Sequence, residues 1–295
     1  MKIAVTGASG LIGRPLVASL RGQGHDVVTL VRRPAQSDSE ITWDPLGGTV
    51  GEGLDGVDAV VHLAGAGVGD HRWTDQYKKE IRDSRVIGTS TLVRALTDLP
   101  TKPAVLVSGS AIGYYPDSPD PVTEQSAPGE GFLSQVVVEW EAATAPAAEA
   151  GIRVVNARTG LVVSKDGGAF GRLIPIFRYG IGGRVGSGRQ FWSFISLRDE
   201  VRALEFALTE ASLSGPVNLV APQAVTNAEA TKALGGFLGR PSFLPVPAFA
   251  LKIALGEFAE DILGSQNVVP AALTAAGFTW LDPTLSSALA ATRNT

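Results

Sequence analysis

The stretch VTGASGLIG, residues 5–13, decides the fold of this chain. Gly7, Gly10 and Gly13 lie between a short apolar segment, Lys2–Thr6, and a segment with helical periodicity. In a strand–turn–helix unit, the first glycine permits a tight turn, the second lets the backbone approach a pyrophosphate, and the third lets the helix pack on the strand. The N-terminus of the helix then offers free N–H groups to an anion. The stretch predicts a dinucleotide-binding turn, and a purely structural turn is the alternative.

Apolar segments alternate with helical ones through the N-terminal half of the chain. Segments that predict strands are residues 2–6, 25–31, 58–63, 104–108 and 152–157, and segments that predict helices are residues 11–24, 74–96 and 132–150. This alternation predicts an α/β fold of the Rossmann type, with a doubly wound parallel sheet that helices cover on both faces.

Glycine and proline become frequent after about residue 160, where the alternation weakens. We therefore expect a dinucleotide-binding core at residues 1–160, to which segments near 190–225 return. Residues 161–295 are expected to form a smaller substrate-side portion, with a C-terminal module at residues 245–295.

The end of the second predicted strand indicates which dinucleotide is bound. An acidic residue there would bind a free ribose hydroxyl, whereas an arginine would accommodate a 2′-phosphate. The chain has Arg32 and Arg33 at this point and no neighbouring carboxylate. Ser9 is placed to assist from the glycine turn. The prediction is NADP(H) rather than NAD(H), and the alternative is that both arginines are solvated surface charges.

Composition excludes several functional classes. The 295 residues carry a formal net charge of −4 and include no cysteine, so thiol nucleophiles, disulfides and zinc–thiolate sites are absent. No polybasic region suggests nucleic acid as a partner, and the three histidines form no metal-binding pattern. The charge-free run at residues 262–281 contains polar residues, proline and glycine, so no membrane span is expected. The N-terminus enters a strand without a signal-like segment, and the prediction is a cytoplasmic protein.

Four stretches together resemble the extended short-chain dehydrogenase/reductase superfamily, and within it the "epimerase family" of nucleoside-diphosphate-sugar epimerases. They are TGASGLIG, VVHLAGAGVGDHRWTDQYKKEIRDSRVIGT, SGSAIGYY and SQNVVPAALTAAGFTWLDPTLSSAL. The resemblance covers essentially the whole chain, and the last stretch is similar to the small C-terminal module of this subfamily. A homodimer is common in the superfamily and is one of the oligomeric states that the sequence leaves open.

The resemblance implies roles for particular residues. Ser110 matches the active-site serine, whose hydroxyl would bond a substrate oxygen, although it could instead satisfy a strand end. Gly186, Gly188 and Gln190 match a stretch that contacts the sugar nucleotide. Asp199 matches a structural acidic position. The residues expected to contact the cofactor are Gly7, Ser9, Gly10, Leu11, Ile12, Gly13, Arg32, Arg33, Leu63, Ala64, Gly65 and Arg85.

The chain departs from the superfamily at its proton-transfer pair. Relatives carry a tyrosine as general acid/base and a lysine that lowers its pKa, and these positions fall near Leu133 and Val137 here. Neither side chain has an exchangeable proton, and no tyrosine or lysine occurs at residues 116–163. Arg85 stands where extended relatives have asparagine.

The chain offers other candidates for the proton transfer that the missing tyrosine and lysine would perform. Tyr114 and Tyr115 follow Ser110 closely and are candidate proton donors, with aromatic packing as the alternative. Glu124 and Glu130 could act as bases if burial raised their pKa values, and His71 could titrate near neutral pH; solvated loop positions are the alternative for these three.

Two functions therefore remain open. One is an NADP(H)-dependent epimerase or reductase that acts on a nucleotide sugar or another small carbonyl compound. The other is a dinucleotide sensor or scaffold that has lost catalysis.

Overall fold

The fold is seen in a computed structural model that describes the backbone of residues 1–293 and the side chains of these residues except 250, 252, 254, 255 and 261. The strands, in chain order, are β1 Lys2–Thr6, β2 Asp26–Val31, β3 Glu40–Asp44, β4 Thr49–Val50, β5 Ala59–His62, β6 Val105–Ala111, β7 Ser118–Val122, β8 Arg153–Thr159, β9 Leu161–Val163, β10 Phe191–Trp192, β11 Phe194–Ser196, β12 Gly215–Leu219, β13 Val225–Thr226 and β14 Gln266–Val268. The helices are α1 Gly13–Gly22, α2 Asp75–Thr97, α3 Phe132–Ala142, α4 Ala145–Glu149, α5 Gly168–Arg178, α6 Leu197–Thr209, α7 Asn227–Leu238, α8 Ala248–Leu255, α9 Phe258–Leu263, α10 Ala271–Ala275 and α11 Leu285–Ala291.

Eight strands form the central sheet in the order β12-β8-β6-β5-β1-β2-β3-β4. All neighbours are parallel except β3 and β4, which form an antiparallel hairpin. The strands β2, β3 and β4 lie on one side of β1, and β5, β6, β8 and β12 lie on the other. In sheets of this type, ligands bind at the carboxyl ends of the strands where the order reverses. The predicted doubly wound parallel sheet is confirmed.

Two hydrophobic clusters lie on opposite faces of the sheet. One contains Val5 and Val107 of the sheet with Leu16 of α1 and Leu204 of α6. The other contains strand residues of opposite orientation, such as Leu106, together with helix residues of α2 and α4. Because side chains alternate along a strand, neighbouring residues of one strand supply both clusters.

The structure corrects two sequence expectations about local elements. The helix expected at residues 132–150 is two helices, since α3 ends at Ala142 and α4 begins at Ala145 with a proline in its first turn. Proline is tolerated there because its missing N–H would have no helical partner. The hairpin of β3 and β4 was not expected. Asp44 stabilises its turn by accepting hydrogen bonds from the N–H groups of Leu46 and Gly47.

The C-terminal segment is fixed to the core through α6. The carboxylate of Asp199 accepts hydrogen bonds from the N–H groups of Leu281 and Asp282, at 3.0 and 2.7 Å. Arg198 pairs with the Asp282 side chain. Ser196, rather than Asp199, caps α6, so Asp199 holds the module in place. None of the described helices is long and apolar enough to cross a membrane.

Candidate functional site

The glycine turn has no room for side chains. Gly7 has φ of +66°, and a Cβ atom on it would lie 2.6 Å from the carbonyl oxygen of Leu63. A Cβ on Gly13 would lie 2.2 Å from the carbonyl oxygen of Gly7. Helix α1 begins directly after the turn, and Ile12 at its N-cap makes no side-chain cap. The N–H of Arg14 is bonded to the carbonyl oxygen of Gly10 at 3.1 Å, but no side chain of the described residues caps the start of α1. The positive end of the helix dipole therefore stays open to an anion, as a pyrophosphate site requires.

A groove of about 1740 Å³ runs along the carboxyl ends of β1, β2 and β5. Eight predicted cofactor residues line it: Gly7, Ser9, Gly10, Arg32, Arg33, Leu63, Ala64 and Gly65. Leu11, Ile12, Gly13 and Arg85 are not among its lining residues. Leu11 and Ile12 pack against a core cluster instead. The sequence missed Arg14, which also lines the groove and lies in the first turn of α1. Arg14 directly follows the third glycine of the motif, a position that carries no general signature.

The two arginines after β2 differ in their partners. Arg33 forms a two-point ion pair with Glu40, at 2.6 and 2.8 Å, and this hydrogen bonding lowers the pKa of the Glu40 carboxyl to about 2. Arg32 is exposed, and its side chain makes no hydrogen bond or ion pair with the described residues. Arg32 is thus the guanidinium open to a phosphate, whereas Arg33 is already neutralised.

A buried histidine fixes the loop that passes beside the groove. The hydroxyl of Thr6 accepts hydrogen bonds from the N–H groups of Leu63 and Ala64, so its own proton points to Nδ1 of His62, 2.7 Å away. Nε2 of His62 then carries the ring proton and donates to Thr89 at 3.0 Å. Burial lowers the pKa of His62 to about 4. His62 is therefore a neutral structural residue.

Arg85 holds the continuation of this loop. Its Nη1 donates to the carbonyl oxygens of Ala66 and Ile81, at 2.9 and 3.1 Å. The guanidinium lies over the ring of Trp140, 5.1 Å from the centroid, and a Cβ atom on Gly65 would lie 3.4 Å from the Arg85 Cζ. Burial lowers the pKa of Arg85 to about 10. Arg85 is therefore a partly buried cation behind the lining of the groove.

Ser110, at the carboxyl end of β6, belongs to a buried polar network. Its Oγ donates to Oε1 of Glu141, 2.6 Å away. Arg158 of β8 holds the same carboxylate in two-point geometry, with both N···O distances at 2.7 Å. Burial opposes the charge on Arg158, but the hydrogen bonds and charge of Glu141 raise its pKa overall. The serine hydroxyl is thereby oriented by a carboxylate that the sequence did not single out as functional.

The two tyrosines have different environments. Tyr115 is buried, its hydroxyl accepts from Arg158 at 2.9 Å and donates to Asn218 at 2.6 Å, and burial raises its pKa. Tyr114 is half-buried, with its ring face 3.4 Å from Cζ of Arg158. Its hydroxyl has no partner among the described residues. Of the two predicted proton donors, only Tyr114 has a free hydroxyl.

Glu124 extends the network to the C-terminal module. It is buried, and its Oε1 accepts from the N–H groups of Asn218 and Ala272, at 3.0 and 3.1 Å. Its position is therefore structural. Glu130 and His71 are exposed loop residues.

Val137 is buried in α3, and Leu133 packs near Gly113. The helix thus presents apolar side chains at the two positions where the resemblance implied a tyrosine and a lysine.

The substrate-side residues form a tight turn. Gly186 and Gly188 both have positive φ, at 58° and 72°. The side chain of Gln190 is buried and donates to the carbonyl oxygen of Val185 at 3.0 Å. Two arginines, Arg184 and Arg189, are among the exposed side chains of this loop, and the sequence prediction passed over them although they lie within its glycine-rich stretch. Nowhere in the described residues do three His, Asp or Glu side chains gather in a way that could hold a metal ion.

Known proteins resemble this chain over nearly its whole length. A protein of Mycobacterium tuberculosis, Epimerase family protein MT2273, is 46% identical over 290 residues, which cover 97% of this chain and 96% of the relative. The crystal structure of human epimerase family protein SDR39U1 (isoform 2) with NADPH is 35% identical, has a TM-score of 0.93 and covers both chains completely. A nucleoside-diphosphate sugar epimerase from Corynebacterium glutamicum is 36% identical with a TM-score of 0.82, over 98% of this chain and 57% of that one.

Two family models also match. One, described only as a domain of unknown function (DUF1731), covers residues 246–292, close to the C-terminal module that the sequence indicated. The other covers residues 3–220, which include the glycine turn, the groove and Ser110. The chain therefore belongs to the NAD dependent epimerase/dehydratase family.

Proposed function

We propose that this protein is an NADP(H)-dependent oxidoreductase or epimerase that acts on a small carbonyl or hydroxyl compound. The observation that carries the proposal is that Ser110, oriented by Glu141, stands at the same sheet edge as the glycine turn and its groove. A dinucleotide site after β1 and an oriented hydroxyl at the end of β6, on the same edge of one parallel sheet, suit hydride transfer next to a reacting oxygen.

The groove residues fit NADP(H). Gly7, Gly10 and the start of α1 would hold the pyrophosphate, and Arg32 would hold the 2′-phosphate. The human relative of known structure contains NADPH, which supports the same cofactor here. When bound, the nicotinamide supplies hydride donation or acceptance. The chain's own part is to hold the cofactor and to manage the proton of the substrate oxygen.

Ser110 and Glu141 are suited to that proton. For a substrate hydroxyl that becomes a carbonyl, the Ser110 Oγ would accept its proton while passing its own to Oε1 of Glu141, 2.6 Å away. The carboxylate changes from charged to neutral, and the atoms balance without a tyrosine or lysine. In the opposite direction, Glu141 returns the proton through Ser110. The free hydroxyl of Tyr114 provides a second donor close to Arg158.

A nucleotide sugar is the substrate class that we favour. The Corynebacterium relative is described as a nucleoside-diphosphate sugar epimerase. Arg184 and Arg189 are exposed on the glycine-rich substrate-side loop and could pair with a diphosphate. Their position supports an anionic substrate.

A dinucleotide sensor is the second candidate. The observation that favours it is the apolar pair Leu133 and Val137 on α3, which leaves the helix without its usual proton-transfer groups. A sensor would bind NADPH tightly but transfer no hydride.

Hydride transfer decides between the two. The purified protein is mixed with NADPH and a panel of carbonyl compounds and with UDP-glucose as a representative nucleotide sugar, and cofactor oxidation or sugar epimerisation is measured. An enzyme turns over at least one member, and Ser110→Ala lowers its kcat by about a hundredfold while the Kd of NADPH is unchanged. Tight NADPH binding with no turnover across the panel would instead favour the sensor.

A further inference from the structure

Arg85 is a cation without a carboxylate partner among the described residues. Its named hydrogen bonds go to two backbone carbonyl oxygens, and the aromatic face of Trp140 covers the guanidinium. Carbonyl dipoles and a ring face stabilise a cation but do not cancel its net charge. The Tyr77 phenol also acts electrostatically on Arg85, but burial raises the pKa of Tyr77, so the phenol is neutral at physiological pH and does not cancel the charge.

Arg82, one turn earlier on α2, shows the contrast. Its guanidinium pairs with Asp83 at 3.2 Å and with Glu139 at 2.6 Å, so its charge is compensated at the surface. Arg85 therefore places an uncompensated positive charge inside the protein, whereas Arg82 does not.

The charge of Arg85 lies close to the groove and to Ser110. Gly65 lines the groove, and a Cβ on it would approach the Arg85 Cζ to 3.4 Å. On its other side, Trp140 reaches Gly109, where a Cβ would lie 3.3 Å from the indole ring. Gly109 precedes Ser110, so Trp140 contacts both the Arg85 guanidinium and the residue before the serine.

We propose that Arg85 makes this protein bind the reduced cofactor, NADPH, more tightly than the oxidised one. The inference rests on the proposed function, because a ring that exchanges hydride beside Ser110 must lie near Arg85. The nicotinamide ring is cationic in NADP⁺ and neutral in NADPH, while the phosphates are the same in both. A fixed positive charge in a poorly solvated site repels only the oxidised ring. Arg85 is thus a determinant of redox-state specificity that acts through charge.

This role differs from simple packing of the loop. A residue that only held Ala66 in place would weaken both cofactor forms equally when it was replaced. A residue that acts through its charge changes the ratio of the two dissociation constants. The ratio is therefore the informative quantity, and it can be measured without a known substrate.

The test measures the Kd of NADPH by fluorescence and that of NADP⁺ by competition, for wild type, Arg85→Gln, Arg85→Lys and Arg82→Gln. We expect wild type to favour NADPH, Arg85→Gln to reduce that preference by about threefold or more, and Arg85→Lys to restore most of it. Arg82→Gln, whose charge was compensated, should keep the wild-type ratio. Thermal unfolding of each variant confirms that it is folded.

Three outcomes overturn the inference. They are equal affinities of wild type for the two forms, an Arg85→Gln ratio that equals that of wild type, and an equal change in Arg82→Gln. The first needs no variant, so a failure of Arg85→Gln to fold still leaves the inference open to refutation. Failure of the proposed function looks different, because the protein would then bind cofactor but turn over no member of the substrate panel, whatever the ratio of the two dissociation constants.

Discussion

The Oγ of Ser110 donates a 2.6 Å hydrogen bond to Oε1 of Glu141. This bond joins the end of β6 to the last turns of α3, the helix that lacks the usual tyrosine and lysine. Glu141 lies eight residues after Leu133 and four after Val137, so the three share one helix face. Ser110 at the sheet edge is therefore hydrogen-bonded to a carboxylate on the same helix face as Leu133 and Val137.

Glu141→Gln should destabilise the protein because it leaves the guanidinium of Arg158 buried without a countercharge. The Arg158 side chain is only 3% exposed, and breaking a buried pair on one side typically costs about 3–5 kcal/mol. Glu139→Gln is the matched control on the same helix, since its ion pair with Arg82 is about 45% exposed and should contribute less than about 1 kcal/mol. Urea denaturation measures the free energy of unfolding of both variants. Similar losses for the two variants would show that the Glu141–Arg158 pair is not buried as described.

Arg32→Ala should weaken binding of NADPH and leave binding of NADH nearly unchanged. A charge-assisted hydrogen bond is worth about 1.5–3 kcal/mol, which corresponds to about a tenfold to hundredfold rise in Kd. Arg33→Ala should have a smaller effect, because the Arg33 guanidinium is engaged by Glu40. Fluorescence titration with both cofactors measures the four constants. If Arg33→Ala lost more NADPH affinity than Arg32→Ala, the assignment of the 2′-phosphate to Arg32 would be wrong.

The fold was predictable because its signals are local. The spacing of Gly7, Gly10 and Gly13 and the apolar alternation depend on residues that are close in sequence, and both report on a parallel sheet. The β3–β4 hairpin escaped because its strands are short: β3 buries only Ile41 and Trp43, and β4 has two residues. The helix expected at residues 132–150 divides before Pro146 because proline fits a first helical turn as well as it breaks an interior one.

The site was predictable only in part because its interactions are distant in sequence. Ser110 and Glu141 are 31 residues apart, and Glu141 and Arg158 are 17 apart; no periodicity joins them. The ion pair between Arg33 and Glu40 likewise has no signature in the sequence, and it makes the Arg33 guanidinium less available to a phosphate. Motifs indicated which residues stand at the sheet edge, whereas partner choice depends on how the helices pack.

His62 should make stability fall as pH is lowered. Burial lowers its pKa from 6.5 to about 4, so between these values the unfolded state binds a proton that the native state does not. The contribution of His62 is complete above about pH 6.5 and is lost progressively toward pH 4, by up to about 3 kcal/mol. Urea denaturation from pH 7.5 to 4.5 measures it for wild type, His62→Gln and the exposed control His71→Gln. A slope that persists in His62→Gln would assign the effect to other groups.

Glu200 should have the opposite dependence on pH. The side chain is fully buried, its Oε1 accepts from Thr159 at 2.7 Å, and its Oε2 has no partner in the described part of the chain. Burial raises the pKa of this carboxyl to about 8, so the native state holds a proton that the unfolded state releases above about pH 4.5. The stabilisation associated with that proton is complete below pH 4.5 and declines as pH rises to about 8.

Glu200→Gln removes the titration while keeping the size of the neutral acid and the hydrogen bond from Thr159. We expect the variant to resemble wild type near pH 5 and to be more stable than wild type by about 2 kcal/mol or more at pH 8.5. Glu205→Gln, a partly exposed position on the same helix, is the control and should show no such crossover. Denaturation midpoints at the two pH values measure the difference. If Glu200→Gln and wild type differ by the same amount at both, Glu200 is already ionised in the native protein and its environment must contain a cation or water that stabilises the charge.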